Sequence, residues 1–237
     1  MLYVLTQAGF ILLTVIFYYL LLREFKEALP KTTLAPDRQK KFITTCTIVL
    51  LAWALVVSTL SLVGFFGNFN LFPLNIGPFL LIPLITMLFF TFSKTVTEIL
   101  LQINPARIIR LQMFRVAVEI LLWMMFIQHL LPIQMSFEGR NFDILAGLTA
   151  PLMAYLASRN LVSRSVLIIW NIVCLGLLIN IVTIAIFSMP TPFRYFMNEP
   201  SNTIVTQFPF SWLPTFLVPL AYMLHFFSLR QLLLKKS

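Results

Sequence analysis

The chain has 237 residues, 59% of them hydrophobic and only 11% charged, with a formal net charge of +9. So little polar surface cannot cover a soluble globule, and the composition belongs in a bilayer. The basic excess does not call for nucleic acid, because fifteen of the 17 Lys and Arg residues fall on or beside one set of alternate loops, and only Arg140 and Arg194 on the other.

A membrane-spanning helix needs roughly 20 apolar residues. Seven segments qualify, at about 3–22, 42–65, 78–100, 111–131, 143–158, 165–187 and 209–229, the fifth being the shortest. The expected fold is all-α: one seven-helix transmembrane domain over residues 1–237. Its basic loops, together with Lys235 and Lys236 in the tail, put the N-terminus outside and the C-terminus in the cytoplasm.

The first segment lacks a basic leader and a small-residue cleavage site, and its basic flank follows the apolar run. It reads as a retained helix, not a secretory signal. Residues 23–41, "REFKEALPKTTLAPDRQKK", are too short and too charged for a domain and read as a solvated linker. On the other side lie "GNFNLFPLNIG", "IQMSFEGRN" and "MPTPFRYFMNEPSNTIVTQ". They are rich in aromatic residues and proline, which suits segments folded over the bundle mouth at headgroup level.

In the third span, Thr91, Lys94, Thr95, Glu98 and Gln102 recur with the period of one helical face. A continuous helix from Pro78 places Lys94 about 24 Å inward, near the inner boundary. The fourth span sets Gln112, Arg115 and Glu119 on one face, with Glu119 about 13 Å from Arg110 and near the midplane. A carboxylate at that depth costs about 2.5–3.5 kcal/mol unless it is protonated, hydrated or paired. Arg115 one turn away and Lys94 on the neighbouring helix are the candidate partners. Asn171 in the sixth span and His225 in the seventh fall in the same inner third. The expectation is an interhelical charge network of Lys94, Glu98, Arg115, Glu119, Asn171 and His225, serving either as a structural clasp or as a pathway.

On the outer side Asp143 reads as the cap of the fifth helix. Glu138, Arg140, Arg194 and Glu199 either cross-pair two loops into a lid or line a site for a small zwitterion. Pro83, Pro151 and Pro219 sit inside spans, where they kink helices and free carbonyls. "PFLLIPLITMLFFTFSK" (78–94) and "PTFLVPLAYMLHFFSLR" (214–230) share both prolines, a Pro-Leu-x-x-Met-Leu core and a basic end. The likeness suits a parallel duplication, with shared apolar composition as the plainer account.

Several chemistries lack their residues. The seventh span has no interior lysine for a Schiff base, and His129 and His225 are the only histidines. Cys46 and Cys174 fall in separate spans, and no H-E-x-x-H, G-x-S-x-G, C-x-x-C or Gly-rich phosphate loop occurs. No cofactor is expected.

The segments "MSFEGRNFDILAGLTAP", "WNIVCLGLLINIV", "PTPF" and "FPFSWLPTFLVP" give the C-terminal two-thirds its character. That part resembles a family of small multi-span membrane proteins of Bacteroidetes-type bacteria. The resemblance implies a bacterial inner membrane and carries over no catalytic residue. The leading expectation is a non-enzymatic binder or permease for a small polar or zwitterionic solute. The charge network would form its inner gate, with Glu138, Arg140, Arg194 and Glu199 at its outer mouth. An accessory or sensory subunit acting through a membrane partner or a second copy is the alternative. A lipid-modifying enzyme built on Glu119 and His225 is a third.

Overall fold

Apolar runs of helical length fold as helices here, because only a helix satisfies its own backbone within hydrocarbon. The computed structural model describes residues 1–234; Lys235 and Lys236, counted above in the basic tail, lie outside the described residues. The nine helices found there are α1 Leu2–Ala28, α2 Pro36–Leu62, α3 Gly77–Phe92, α4 Lys94–Gln102, α5 Pro105–Leu111, α6 Phe114–Phe126, α7 Ile144–Ser158, α8 Arg164–Phe187 and α9 Val218–Leu234. One π turn, Leu213–Leu217, leads into α9, and no strand forms among the described residues. Four stretches among the described residues are long and apolar enough to cross a membrane: Leu2–Lys31, Pro36–Leu62, Arg164–Phe187 and Leu213–Leu234. The bent pair α3 and α4 makes a fifth if it counts as one span.

Local chemistry sets several boundaries. Pro36 and Pro105 occupy first-turn positions where the missing N–H is harmless. Asn104 caps α5 by accepting from the Ala106 N–H at 2.9 Å, and Ser163 caps α8 through Val166. Ser93 does the same within the expected third span. Its extended backbone and its side chain, which accepts from the Val96 N–H at 3.2 Å, end α3 and start α4 at a 69° bend. The expected continuous helix over 78–100 is therefore two helices.

Burial differs sharply between helices. In α2 only Val57 and Ser61 are buried, which leaves the rest of its apolar surface for lipid. In α9 most positions are buried, since it packs against α3, α4, α5 and α8. Pro219 removes the N–H that would bond Thr215 O. That carbonyl instead accepts from Trp53 Nε1 at 3.2 Å, while Phe216 O accepts from the Tyr18 hydroxyl at 3.0 Å. Two aromatic side chains from α1 and α2 thus bond carbonyls around the π turn and the proline, one of them the Thr215 O that Pro219 leaves without its helical donor.

Helix α7 presents small residues to its neighbours, with Ala146, Gly147, Ala150 and Ala154 all buried. A β-carbon on Gly147 would stand 2.6 Å from the Val116 backbone nitrogen. Only glycine allows that approach, and close backbone packing through small residues is how membrane helices associate. The same contact sets Asp143, one turn earlier on α7, beside Arg115.

Candidate ligand site in the bundle

Arg115 is the largest of the fully buried side chains, at 2% exposure. Its guanidinium meets the Asp143 carboxylate along one edge: Nε donates to Oδ2 at 2.6 Å and Nη2 pairs with Oδ1. The Nε bond is charge-assisted, and the Nη2 contact sets the second carboxylate oxygen beside the same guanidinium. Nη1 lies 2.8 Å from His225 Nε2, and Nη2 donates to Cys174 O at 3.4 Å.

The remaining contacts fix the imidazole tautomer. Asn171 Nδ2 donates to Leu167 O at 2.8 Å and to Ser228 Oγ at 3.0 Å, so its Oδ1 is left to accept from His225 Nδ1 at 2.9 Å. His225 Nε2 is then the acceptor for Arg115. At the other end of the network Asn141 Oδ1 accepts from the Asp143 N–H at 3.0 Å, and Asn141 Nδ2 donates to Glu119 Oε2 at 2.5 Å. One connected chain thus runs from Ser228 through Asn171, His225, Arg115, Asp143 and Asn141 to Glu119, and every member is buried.

The structure brings together four of the sequence candidates, Arg115, Glu119, Asn171 and His225. The other six lie elsewhere. Lys94 is exposed beyond the bend at Ser93. Glu98 accepts from the Thr33 hydroxyl at 2.9 Å, on the 29–35 connection. Glu138 accepts from Trp123 Nε1 at 2.5 Å. Arg140 stacks over the Phe196 ring at 5.5 Å, and Arg194 pairs with Glu199 at 2.8 Å inside a single loop. The two loops therefore meet through a cation–π contact and a hydrogen bond from Asn198 Nδ2 to Gln134 Oε1 at 2.8 Å, without a cross-loop ion pair among the described residues.

Two expectations about partners change. Arg115 does not pair with Glu119: it turns to Asp143, and Glu119 is held by an amide. Asp143 stands at the start of α7, but its side chain makes no capping bond. A buried guanidinium outcompetes backbone amides for a carboxylate, because charge-assisted bonds are roughly twice as strong. Asn141, Asp143 and Ser228 are the residues that sequence reasoning missed. An acid at a helix start reads equally as a cap. The available signal was Gly147 four residues on, which marks that face of α7 as the one in close contact.

Glu119, Arg115 and Asp143 also form part of the wall of a cavity of about 400 Å³ between α3, α6, α8 and the Leu213–Ala221 stretch. The rest of the wall is overwhelmingly apolar, including Leu84, Phe114, Leu178 and Ile181. Leu81 and Phe193 line it too and are themselves 56% and 60% exposed, so its wall reaches the outer surface between α3 and the loop after α8. Asn202 and Ser211 line it as well, and Asn202 Oδ1 and Ser211 Oγ are buried without hydrogen-bond partners. A second apolar cavity, about 420 Å³, lies between α1, α2, α3 and the start of α9, and Thr215 borders both.

A family model described as a domain of unknown function, DUF8737, matches residues 71–233. The chain belongs to that family. Comparison with curated proteins and with solved structures finds no match. All seven members of the polar chain lie within the DUF8737 segment, and so does every residue lining the first cavity except Phe66. The second cavity draws much of its wall from α1 and α2, which precede that segment. The polar network and the cavity above it are thus built by the family's own part of the chain.

Proposed function

We propose that the protein is a seven-crossing membrane protein of a bacterial inner membrane, with its N-terminus outside, that binds an amphipathic molecule drawn from the bilayer. Each of the seven apolar segments has a helical counterpart, and the loop asymmetry of Lys and Arg supports this orientation. One observation carries the binding reading: an apolar cavity of about 400 Å³ that ends on three buried ionisable side chains, Arg115, Asp143 and Glu119. Ligand sites characteristically combine an apolar wall with a few convergent polar groups, in volumes of roughly 300–1,000 Å³. Intramembrane ionisable groups that face a cavity are functional candidates by default.

A small polar or zwitterionic solute fits less well, because the wall offers such a solute few hydrogen-bond partners along most of its length. A lipid-modifying enzyme built on Glu119 and His225 fits less well too, because the His225 ring nitrogens are both engaged, by Arg115 and Asn171. Binding without chemistry is the reading we favour.

The test is to fill the cavity. Ala185 lines it on α8, and Ala185→Trp places an indole in the space. Photolabelling with a membrane-partitioned alkyl diazirine should mark cavity residues such as Leu84 and Leu178 in the native protein. In the variant that labelling should fall about tenfold while surface labelling and melting temperature stay unchanged. Equal labelling of Leu84 and Leu178 in both proteins would refute the reading.

A further inference from the structure

Carboxyl groups outnumber cations at the inner end of the cavity. There is one guanidinium and there are two carboxyl groups, and Arg115 gives both Nε and Nη2 to Asp143. Glu119 has no cation within ion-pair distance among the described residues. It is held from one side only, by Asn141 on Oε2, and its Oε1 has no hydrogen-bond partner among the described residues. The side chain is 1% exposed and forms part of the cavity wall. His225 does not supply the missing charge, because its Nε2 accepts from Arg115. Lys94, the other candidate cation from the sequence, is turned out to the surface by the bend at Ser93.

We infer that the cavity takes a single-chain amphiphile with a cationic amine head, its ammonium bonded to Glu119 Oε1 and its chain lying along Leu84, Leu178 and Ile181. The inference rests on the binding reading above and adds the sign of the headgroup. An ammonium brings both the donor that Oε1 lacks and the positive charge that a buried carboxylate needs. A carboxylate head would meet two like charges and a guanidinium already engaged by Asp143, His225 and Cys174 O. An alcohol head donates a bond to Oε1 and leaves the charge uncompensated. Leu81 and Phe193, two exposed apolar residues, also line the cavity, so the chain of a ligand whose head reaches Glu119 would extend toward a lipid-facing part of the wall.

The experiment titrates the purified full-length protein, in a non-ionic detergent at neutral pH, with dodecylamine, dodecanoic acid and dodecanol, and counts bound molecules by native mass spectrometry. We expect the amine to bind about tenfold more tightly than either of the others, and Glu119→Gln to reduce that preference to within about twofold. The glutamine keeps the shape and the acceptor toward Asn141 while removing the charge. Dodecanoic acid or dodecanol binding as tightly as the amine overturns the headgroup assignment and leaves the binding reading intact. An amine preference that survives Glu119→Gln also overturns the assignment. Because the native selectivity is itself decisive, the outcome does not depend on the variant folding. Failure of all three to bind overturns both readings.

Discussion

Arg115–Asp143 and Arg194–Glu199 are the same chemical pair in two settings. The first has side chains 2% and 7% exposed, the second 17% and 70%. Inside the bundle the guanidinium meets its carboxylate at two points and continues into His225 and Cys174 O. In the outer loop Arg194 donates to the carbonyls of Phe196 and Asn198 as well as to Glu199, so the loop backbone holds the arginine and the carboxylate is an addition. Contact distance alone does not separate the two. What separates them is the state left behind when one partner goes: a buried charge with nothing to replace it, or a charge that water takes over.

The largest expected effect breaks the buried pair. Arg115→Met strands Asp143 in the interior and should destabilise by about 3–5 kcal/mol, read as a lowered unfolding midpoint in detergent. Adding Asp143→Leu to that variant removes the stranded charge and should restore much of the loss. If the double variant is no better than Arg115→Met alone, the comparison misplaces the source of stability. Next comes the contact that sets the pair in place. Gly147→Val drives a side chain into the Val116 backbone, and overpacking of this kind costs typically 1–3 kcal/mol. An unfolding midpoint equal to that of the native protein would show that α7 can retreat without disturbing Asp143. His225→Phe leaves Arg115 Nη1 and Asn171 Oδ1 without their partner and should cost about 1–3 kcal/mol, again measured by thermal unfolding. A neutral result there would mean that the network ends at Arg115.

Much of this arrangement is legible in the sequence, and what is not has an identifiable physical cause. The apolar runs mark all the long helices, and the burial of Glu119 follows from its place within one of them. The partners of Glu119 do not, because they depend on which helix faces touch. The Thr91–Gln102 stripe assumed an unbroken helix, and a single serine undoes it. Thr91 is buried and bonds Met87 O, whereas Lys94, beyond the cap at Ser93, faces outward. The similar segment 214–230 shows the contrast, since its counterpart of Ser93 is Leu229, which cannot cap, and α9 runs through without a bend. The two segments then meet, with Arg230 stacked over Phe92 at 4.9 Å and bonded to Thr97 Oγ1. Sequence likeness between them therefore does not carry over to burial or to continuity. Ser93→Ala tests the cap directly, and loss of one N-cap bond costs typically about 1 kcal/mol, seen as a small drop in unfolding midpoint.

The smallest expected effect is at the exposed pair. Hydrogen bonds from Arg194, first, and from the Ser201 N–H hold the Glu199 carboxyl below its ordinary range. A folded-state value below the unfolded one means that the contribution is present above the unfolded value and fades as pH falls through the folded one. Acidification should therefore loosen the 194–201 turn, and Glu199→Gln should remove that pH dependence while leaving the neutral-pH unfolding midpoint unchanged within error. The measurement is hydrogen exchange of the Ser201 amide across the acid range in both proteins. Glu199 is fully solvated, so water replaces what protonation takes away, and the local change should not spread to the buried network. Exchange at Ser201 that accelerates in acid together with loss of global stability would instead show the two pairs to be coupled. That would have to pass through contacts such as the Arg140–Phe196 stack and the Asn198 Nδ2–Gln134 Oε1 hydrogen bond of 2.8 Å, which join the loop containing Glu199 to the one leading into Asn141 and Asp143.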